Sequence, residues 1–174
     1  MLDFDYSKRL EALIQSLDWQ IQLPSTWSNF FDEVGESTTL ALDERQNRRM
    51  KVRTLGVLHF ERQLPAIPRP SSPVGIYSRD FSRRGCGFVS PQQLYPREIV
   101  RVILSTFWIQ LEICRTRRVG PMCYEIGCEL IAQNLPSAKA FDGLSLNTMP
   151  LACLRPPVSS LTKSQGMLPS ATAS

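Results

Sequence analysis

Residues 74–90 read VGIYSRDFSRRGCGFVS. Two segments rich in β-branched and aromatic residues, Val74 to Arg79 and Cys86 to Ser90, flank a short polar stretch that ends at a glycine. Segments of this kind, separated by turn-forming residues, are typical of antiparallel strands. The stretch therefore predicts two neighbouring strands with a tight connection between them.

Four further segments have the same strand-like character. The first begins at Arg53, and the other three are Ile99 to Leu104, Trp108 to Arg115 and Met122 to Ile131. A proline-rich loop (Pro65, Pro68, Pro70 and Pro73) follows the strand that begins at Arg53. About six short, closely spaced strands predict an all-β protein built as a six-stranded antiparallel β-barrel.

Short helices are expected to flank the barrel. Helical spacing of apolar residues from Asp5 to Trp19 predicts an amphipathic helix that packs one face on the barrel. Residues 137–144 are expected to form a short closing helix. We therefore divide the chain into a helix and acidic connector (residues 1–43), a barrel domain (44–144) and a disordered Ser/Pro-rich tail (145–174).

Composition argues against several classes of function. No apolar run approaches the roughly 18 residues that a membrane helix needs, and the first residues lack the pattern of a secretory signal, so we expect a cytoplasmic protein. Five cysteines without a Cys-x-x-Cys pair, and a single histidine, favour small apolar residues over a metal site. No nucleophile, base and acid can be assembled from the sequence, so we expect no enzyme activity.

Charge is distributed unevenly along the chain. Residues 1–44 carry a net charge of −7, whereas residues 45–85 carry +8. This asymmetry predicts an anionic partner at the basic block, with the acidic arm lying near the block when the site is empty. Nucleic acid is a less favoured partner, because only Phe60, Tyr77 and Phe81 are aromatic within residues 45–85.

Two short motifs give the basic block a more specific interpretation. Arg49 and Arg53 form an Arg-x-x-x-Arg pattern, and Asp80, Ser82 and Gly85 form an Asp-x-Ser-x-x-Gly pattern one strand and one loop later. In this order, the motifs resemble the two signatures of the bacterial PilZ domain family. The resemblance covers about residues 44–144 and extends to the segments 86–89 and 124–130. Arg45 and Arg49 have the same spacing, which leaves a second register of the arginine motif open.

The resemblance implies a six-stranded PilZ-type barrel that binds the second messenger cyclic di-GMP, needs no other cofactor and signals to an effector protein. The implied ligand-binding residues are Arg48, Arg49, Arg53, Asp80, Ser82 and Gly85. A degenerate PilZ-like adaptor that binds protein and no nucleotide is the alternative, although such members usually lack these motif residues.

Each implied residue has chemistry suited to that ligand. The planar guanidinium of an arginine can pair with a phosphate or a guanine edge and can stack on a base. Asp80 can accept hydrogen bonds from the ring N–H and the exocyclic amine of guanine, and the Ser82 hydroxyl can add another. Gly85 would permit a positive φ or a close backbone approach to the ligand. We expect the two motif arginines to be exposed in the empty protein. As alternatives, the arginines could form a solvated basic face and the Asp80-Phe81-Ser82 segment an Asx or Ser turn.

The first prediction concerns stoichiometry and depends on Arg48. One cyclic di-GMP carries a charge of −2 and two stacked copies carry −4, so a bound pair needs additional fixed positive charge. We expect two ligands per chain in the wild type and one in Arg48→Leu, as measured by calorimetry in one buffer. A wild-type ratio of one, or an unchanged ratio of two in the variant, would remove Arg48 from the mechanism.

Overall fold

The structure is a computed structural model that describes residues 4–36 and 49–144. Arg45 and Arg48 lie outside the described residues, as do residues 37–43 of the predicted acidic connector. The predicted disordered tail also lies outside them. The role of Arg48 and the alternative register that uses Arg45 therefore stay predictions.

One α-helix and eight strands make up the described chain. They are α1 (Phe4–Ser16), β1 (Gly35–Glu36), β2 (Met50–Lys51), β3 (Leu55–Arg62), β4 (Val74–Ser82), β5 (Gly85–Ser90), β6 (Ile99–Ile103), β7 (Trp108–Gly120) and β8 (Cys123–Asn134). Short 3₁₀ helices cover Ser25–Trp27 and Ala138–Phe141. The six predicted strands correspond to β3 through β8, and the predicted closing helix is the second 3₁₀ helix.

The six long strands form a closed antiparallel barrel. Their order around it is β4, β3, β6, β7, β8 and β5, and pairing of β5 with β4 closes the ring. The two-stranded ribbon of β1 and β2 extends the sheet at β4. The predicted all-β barrel is therefore confirmed.

Ser78 of β4 bonds to the backbone between β2 and β3, the two strands that pair one after the other with the same edge of β4. Its hydroxyl donates to the Val52 carbonyl oxygen at 2.7 Å and accepts from the Thr54 amide at 2.9 Å. The backbone Ser78 amide donates to the Thr54 carbonyl oxygen. These bonds replace ladder bonds between the end of β2 and the start of β3, and so fix the path of residues 49–54 across β4.

Apolar side chains fill the barrel and cover part of its outside. The interior holds buried residues from all six strands, including Leu58, Ile76, Phe88 and Leu111. Outside, α1 packs Tyr6, Leu10 and Leu13 against β3, β6 and the second 3₁₀ helix. We call residues 17–34, between α1 and β1, the N-terminal segment. A separate cluster places Phe30 of this segment against Val89 and Cys123. The predicted packing of the helix on the barrel is confirmed.

Several predicted boundaries differ from the structure, among them the end of the helix and the ends of three strands, β4, β7 and β8. The helix ends at Ser16, before the predicted Trp19, and the Trp19 ring stacks on Tyr77 while its indole N–H donates to the Ile14 carbonyl oxygen at 3.0 Å. Strand β4 continues through Asp80 to Ser82, where the sequence predicted an end at Arg79. In the described part of the chain, none of the helices is long and apolar enough to cross a membrane.

The proline-rich loop between β3 and β4 is tied to the barrel by one buried ion pair. Arg69 Nε donates to Glu98 at 2.8 Å, and its side chain and that of Glu98 are 7% and 0% exposed. The Tyr95 amide also donates to Glu98. The carboxylate is therefore fully satisfied, but only while Arg69 is present.

We predict that Arg69→Met lowers the free energy of unfolding by about 3 kcal/mol, because it leaves the Glu98 carboxylate buried without its counter-ion. Urea unfolding followed by circular dichroism measures the change. Arg62→Met is the matched control, since the Arg62 side chain is exposed and lies 3.9 Å from Glu112. Equal midpoints for the two variants would contradict the role of the buried pair.

Candidate functional site

A polar cleft of about 410 Å³ lies on the outer face of the barrel, over β4, β5, β7 and β8. The lining residues are Arg49, Arg79, Asp80, Gly87, Arg115, Thr116, Arg117, Glu125, Ile126 and Gly127. Four arginines and two carboxylates give this lining a net charge of +2. The cleft therefore suits an anionic ligand that also presents hydrogen-bond donors.

Two glycines that face each other form the floor of the cleft. Gly87 of β5 pairs with Gly127 of β8 in the ladder. A Cβ on Gly87 would lie 3.0 Å from a carboxylate oxygen of Asp80, and a Cβ on Gly127 would lie 2.7 Å from Nε of Arg115. The missing side chains give the two polar groups the space to lie close to the sheet.

Asp80 and Arg49, two of the predicted site residues, meet in this cleft. The Arg49 guanidinium donates to Asp80 Oδ1 at 2.6 Å, and the Asp80 side chain is 7% exposed. A register shift between Ser78 and Asp80 inserts Arg79 into the strand opposite β5. Because a bulge adds an unpaired residue and re-aims its neighbours, both Arg79 and Asp80 reach the cleft.

Glu125 is the second carboxylate of the cleft. Its side chain is 9% exposed, and it accepts hydrogen bonds from Arg79 Nη1 at 2.7 Å and from Arg117 Nε at 2.8 Å. Arg79 Nε also lies 3.5 Å from Asp80. Arg79 therefore bridges the two carboxylates and offsets the cost of burying both.

Arg53 points away from this cleft, toward the N-terminal segment. Its guanidinium donates to Glu33 at 2.7 Å and lies 4.2 Å from the centre of the Phe30 ring. Lys51 also pairs with Glu33, at 3.1 Å. We call the contact of Glu33 with Lys51 and Arg53 the Glu33 clasp. It matches the expectation that the acidic arm lies near the basic block.

The Glu33 clasp corrects one expectation about Arg53. The sequence predicted an exposed arginine, but the Arg53 side chain is 8% exposed because Phe30 and Glu33 cover it. Its Nε is buried and has no hydrogen-bond partner. Arg53 would therefore have to lose Glu33 before it could bind a ligand with its full set of donors.

Ser82 and Gly85 close the hairpin between β4 and β5. The Ser82 hydroxyl donates to the Gly85 carbonyl oxygen at 3.0 Å, so it bonds across this hairpin turn. Gly85 has no positive φ, so that part of its interpretation is wrong. A Cβ there would lie 2.1 Å from the Cys128 carbonyl oxygen, so the close approach is to β8 and not to the cleft.

The sequence analysis did not predict several residues of the cleft as site residues. Arg115 and Arg117 alternate along β7, and Glu125 and Gly127 alternate along the facing part of β8. This period of two places each pair on one face of its strand and was the available signal. Register shifts within β7 and β4 determine which face becomes the cleft, and the sequence does not show them.

The chemistry of the cleft suits the binding of an anion that also presents hydrogen-bond donors. Its guanidinium groups donate, and its two carboxylates accept. Across residues 4–36 and 49–144, no group of three or more His, Cys, Asp or Glu side chains is placed to hold a metal ion. Comparison of the chain with protein-family models, curated proteins and solved structures gives no significant match.

The Glu33 clasp predicts a measurable pKa. The hydrogen-bonded Lys51 ammonium and the Arg53 guanidinium hold the pKa of Glu33 below its ordinary value of 4.5. A carboxyl whose pKa is lowered by folding stabilises the fold above its ordinary pKa, and this stabilisation is lost as the pH falls through the lowered value.

We expect Lys51→Gln to raise the pKa of Glu33 toward 4.5, as measured by NMR titration of its side chain. Lys139→Gln is the control, because it removes the same charge from the 3₁₀ helix Ala138–Phe141. If Lys51→Gln and Lys139→Gln leave the Glu33 pKa equally unchanged, the Glu33 clasp does not form in solution.

Proposed function

We propose that this protein is a PilZ-type sensor that binds cyclic di-GMP and converts its level into a change of conformation or of partner binding. The observation that carries the proposal is the pairing of Arg49 with Asp80 inside an arginine-lined cleft. These two residues come from the two separate signature motifs. A binding site formed by both motifs requires these two residues to lie close together.

The chemistry of the cleft supports a cyclic dinucleotide. The ligand carries a charge of −2, equal and opposite to the +2 of the cleft lining. Arg49, Arg79, Arg115 and Arg117 offer planar donors for two phosphates and for base edges. Asp80 is an acceptor-only group, which favours guanine, with its donors at the ring N–H and exocyclic amine, over adenine.

The Glu33 clasp suggests how binding could produce a response. Residues 49–54 connect Arg49 in the cleft with Arg53 in the clasp, and Lys51 pairs opposite Asp80 in the ladder between β2 and β4. A phosphate that competes for Arg53 or Lys51 would displace Glu33. Release of the N-terminal segment would then expose Phe30, which is buried when the clasp is closed.

A PilZ-like adaptor that binds protein and no nucleotide is the second candidate. It is favoured by the fact that Arg49 and Arg53 are already paired with carboxylates of the chain itself. Val34 and Phe31, next to the clasp, are also exposed apolar side chains. This function predicts no measurable binding of cyclic di-GMP.

We expect cyclic di-GMP to bind with a dissociation constant in the micromolar range or tighter. Micromolar affinity corresponds to about −8 kcal/mol, which a few charge-assisted hydrogen bonds and a stacked base can supply after ordering costs. Calorimetry measures the affinity, with cyclic di-AMP and GTP as controls. The absence of heat at millimolar ligand would refute the proposal and favour the adaptor.

Two substitutions in the cleft sharpen this test. Arg49→Ala should weaken binding by about ten- to a hundredfold, equivalent to ~1.4–2.8 kcal/mol. Asp80→Ala should weaken binding and also relax the preference for guanine. Arg62→Ala, on the exposed end of β3, is the control for loss of one arginine. An equal loss for every nucleotide in Asp80→Ala would show that Asp80 does not read the base.

A further inference from the structure

We propose that Glu125 is a second guanine-reading residue, so that the cleft recognises both bases of a cyclic dinucleotide with two separate carboxylates. The inference rests on the proposed function and adds a residue that belongs to neither signature motif. Glu125 is a nearly buried carboxylate in a cleft that is open to solvent.

The two carboxylates of the cleft have parallel surroundings. Asp80 is paired with Arg49, Glu125 is paired with Arg117, and Arg79 lies between the two pairs. Cyclic di-GMP has a two-fold arrangement of its own, with two guanines on a ring that holds two phosphates. A cleft with two carboxylate–arginine pairs therefore has one acceptor for each guanine and guanidinium groups left for the phosphates.

Glu125 can become available to a ligand because its main partner is loosely held. The Arg117 side chain is 72% exposed, so it can move to a phosphate or a guanine edge at low cost. Arg79 is partly exposed and would remain a counter-ion of Glu125 through its bond to Oε1. The freed Oε2 and the second lone pair of Oε1 would then face the cleft as acceptors.

Guanine is the base that fits this group. Its Watson–Crick edge presents a ring N–H and an exocyclic amine side by side, and a carboxylate can accept from both. Adenine presents an unprotonated ring nitrogen at that position, which a carboxylate would repel. A Glu125 that only positioned Arg79 and Arg117 would not distinguish the two bases, and this difference makes the inference testable.

The experiment compares cyclic di-GMP, cyclic GMP-AMP and cyclic di-AMP on the full chain by calorimetry. If each carboxylate reads one guanine, the wild type should lose about tenfold or more in affinity at each replacement of guanine by adenine. In Glu125→Gln the amide can pair with adenine. This variant should therefore bind cyclic GMP-AMP as tightly as cyclic di-GMP, or more tightly, and both more tightly than cyclic di-AMP.

Glu61→Gln is the matched control. Glu61 is another poorly exposed strand glutamate, paired with Arg101 at 2.6 Å and bonded by Gln110, and it is not part of the cleft. It should leave the three affinities in the wild-type order. Thermal unfolding of both variants checks that the barrel is retained.

Three results would overturn the inference in different ways. Equal weakening of all three ligands by Glu125→Gln would assign Glu125 to positioning the arginines. An unchanged order of affinities in that variant would remove Glu125 from recognition while cyclic di-GMP binding and the proposed function stand. A wild type that binds none of the three ligands would refute the proposed function, and the inference with it.

Discussion

Strand β4 is the element on which the rest of the structure depends, because three other strands pair with it. One edge pairs with β3 and then with β2, and the other edge pairs with β5 to close the barrel. Ser78 fills the gap between β2 and β3 with its hydroxyl. Directly after Ser78, the bulge turns Arg79 and Asp80 outward together. Barrel closure and formation of the cleft are therefore consequences of the same short segment.

The cleft balances charge against burial. Asp80 and Glu125 are both nearly buried, and each would be costly to bury without a partner. Arg49, Arg79 and Arg117 offset that cost while remaining partly exposed themselves. The result is a set of arginines that are pre-positioned by carboxylates and can still exchange one partner for another. Such exchange lets a site of this kind bind an anion without leaving a buried charge alone when the anion departs.

Much of the fold could be predicted from the sequence because its signals are local. Runs of β-branched and aromatic residues and the turn-forming residues between them are read over a few positions, and they predict all six barrel strands. The sequence motifs also assigned Arg49 and Asp80 to one site, and the two side chains are in contact in the structure. Arg53 was wrongly expected to be exposed, since its burial depends on Glu33 and Phe30, which are distant in sequence. Arg79, Arg117 and Glu125 were missed because β-bulges decide which face they occupy.

The N-terminal segment links the cleft to the rest of the molecule. Val89 of β5 pairs opposite Glu125, and Val89 packs in the cluster that contains Phe30. Tyr77 of β4 pairs opposite Val89 and stacks with Trp19, which in turn contacts the end of α1. The strands that line the cleft therefore also contact the N-terminal segment that carries Glu33 and, beyond the helix, Trp19. Under the proposed function, the segment that covers Arg53 would be the first to respond to an occupied cleft, because exposed Glu33 holds it on Lys51 and Arg53, the side chains that a phosphate would attract.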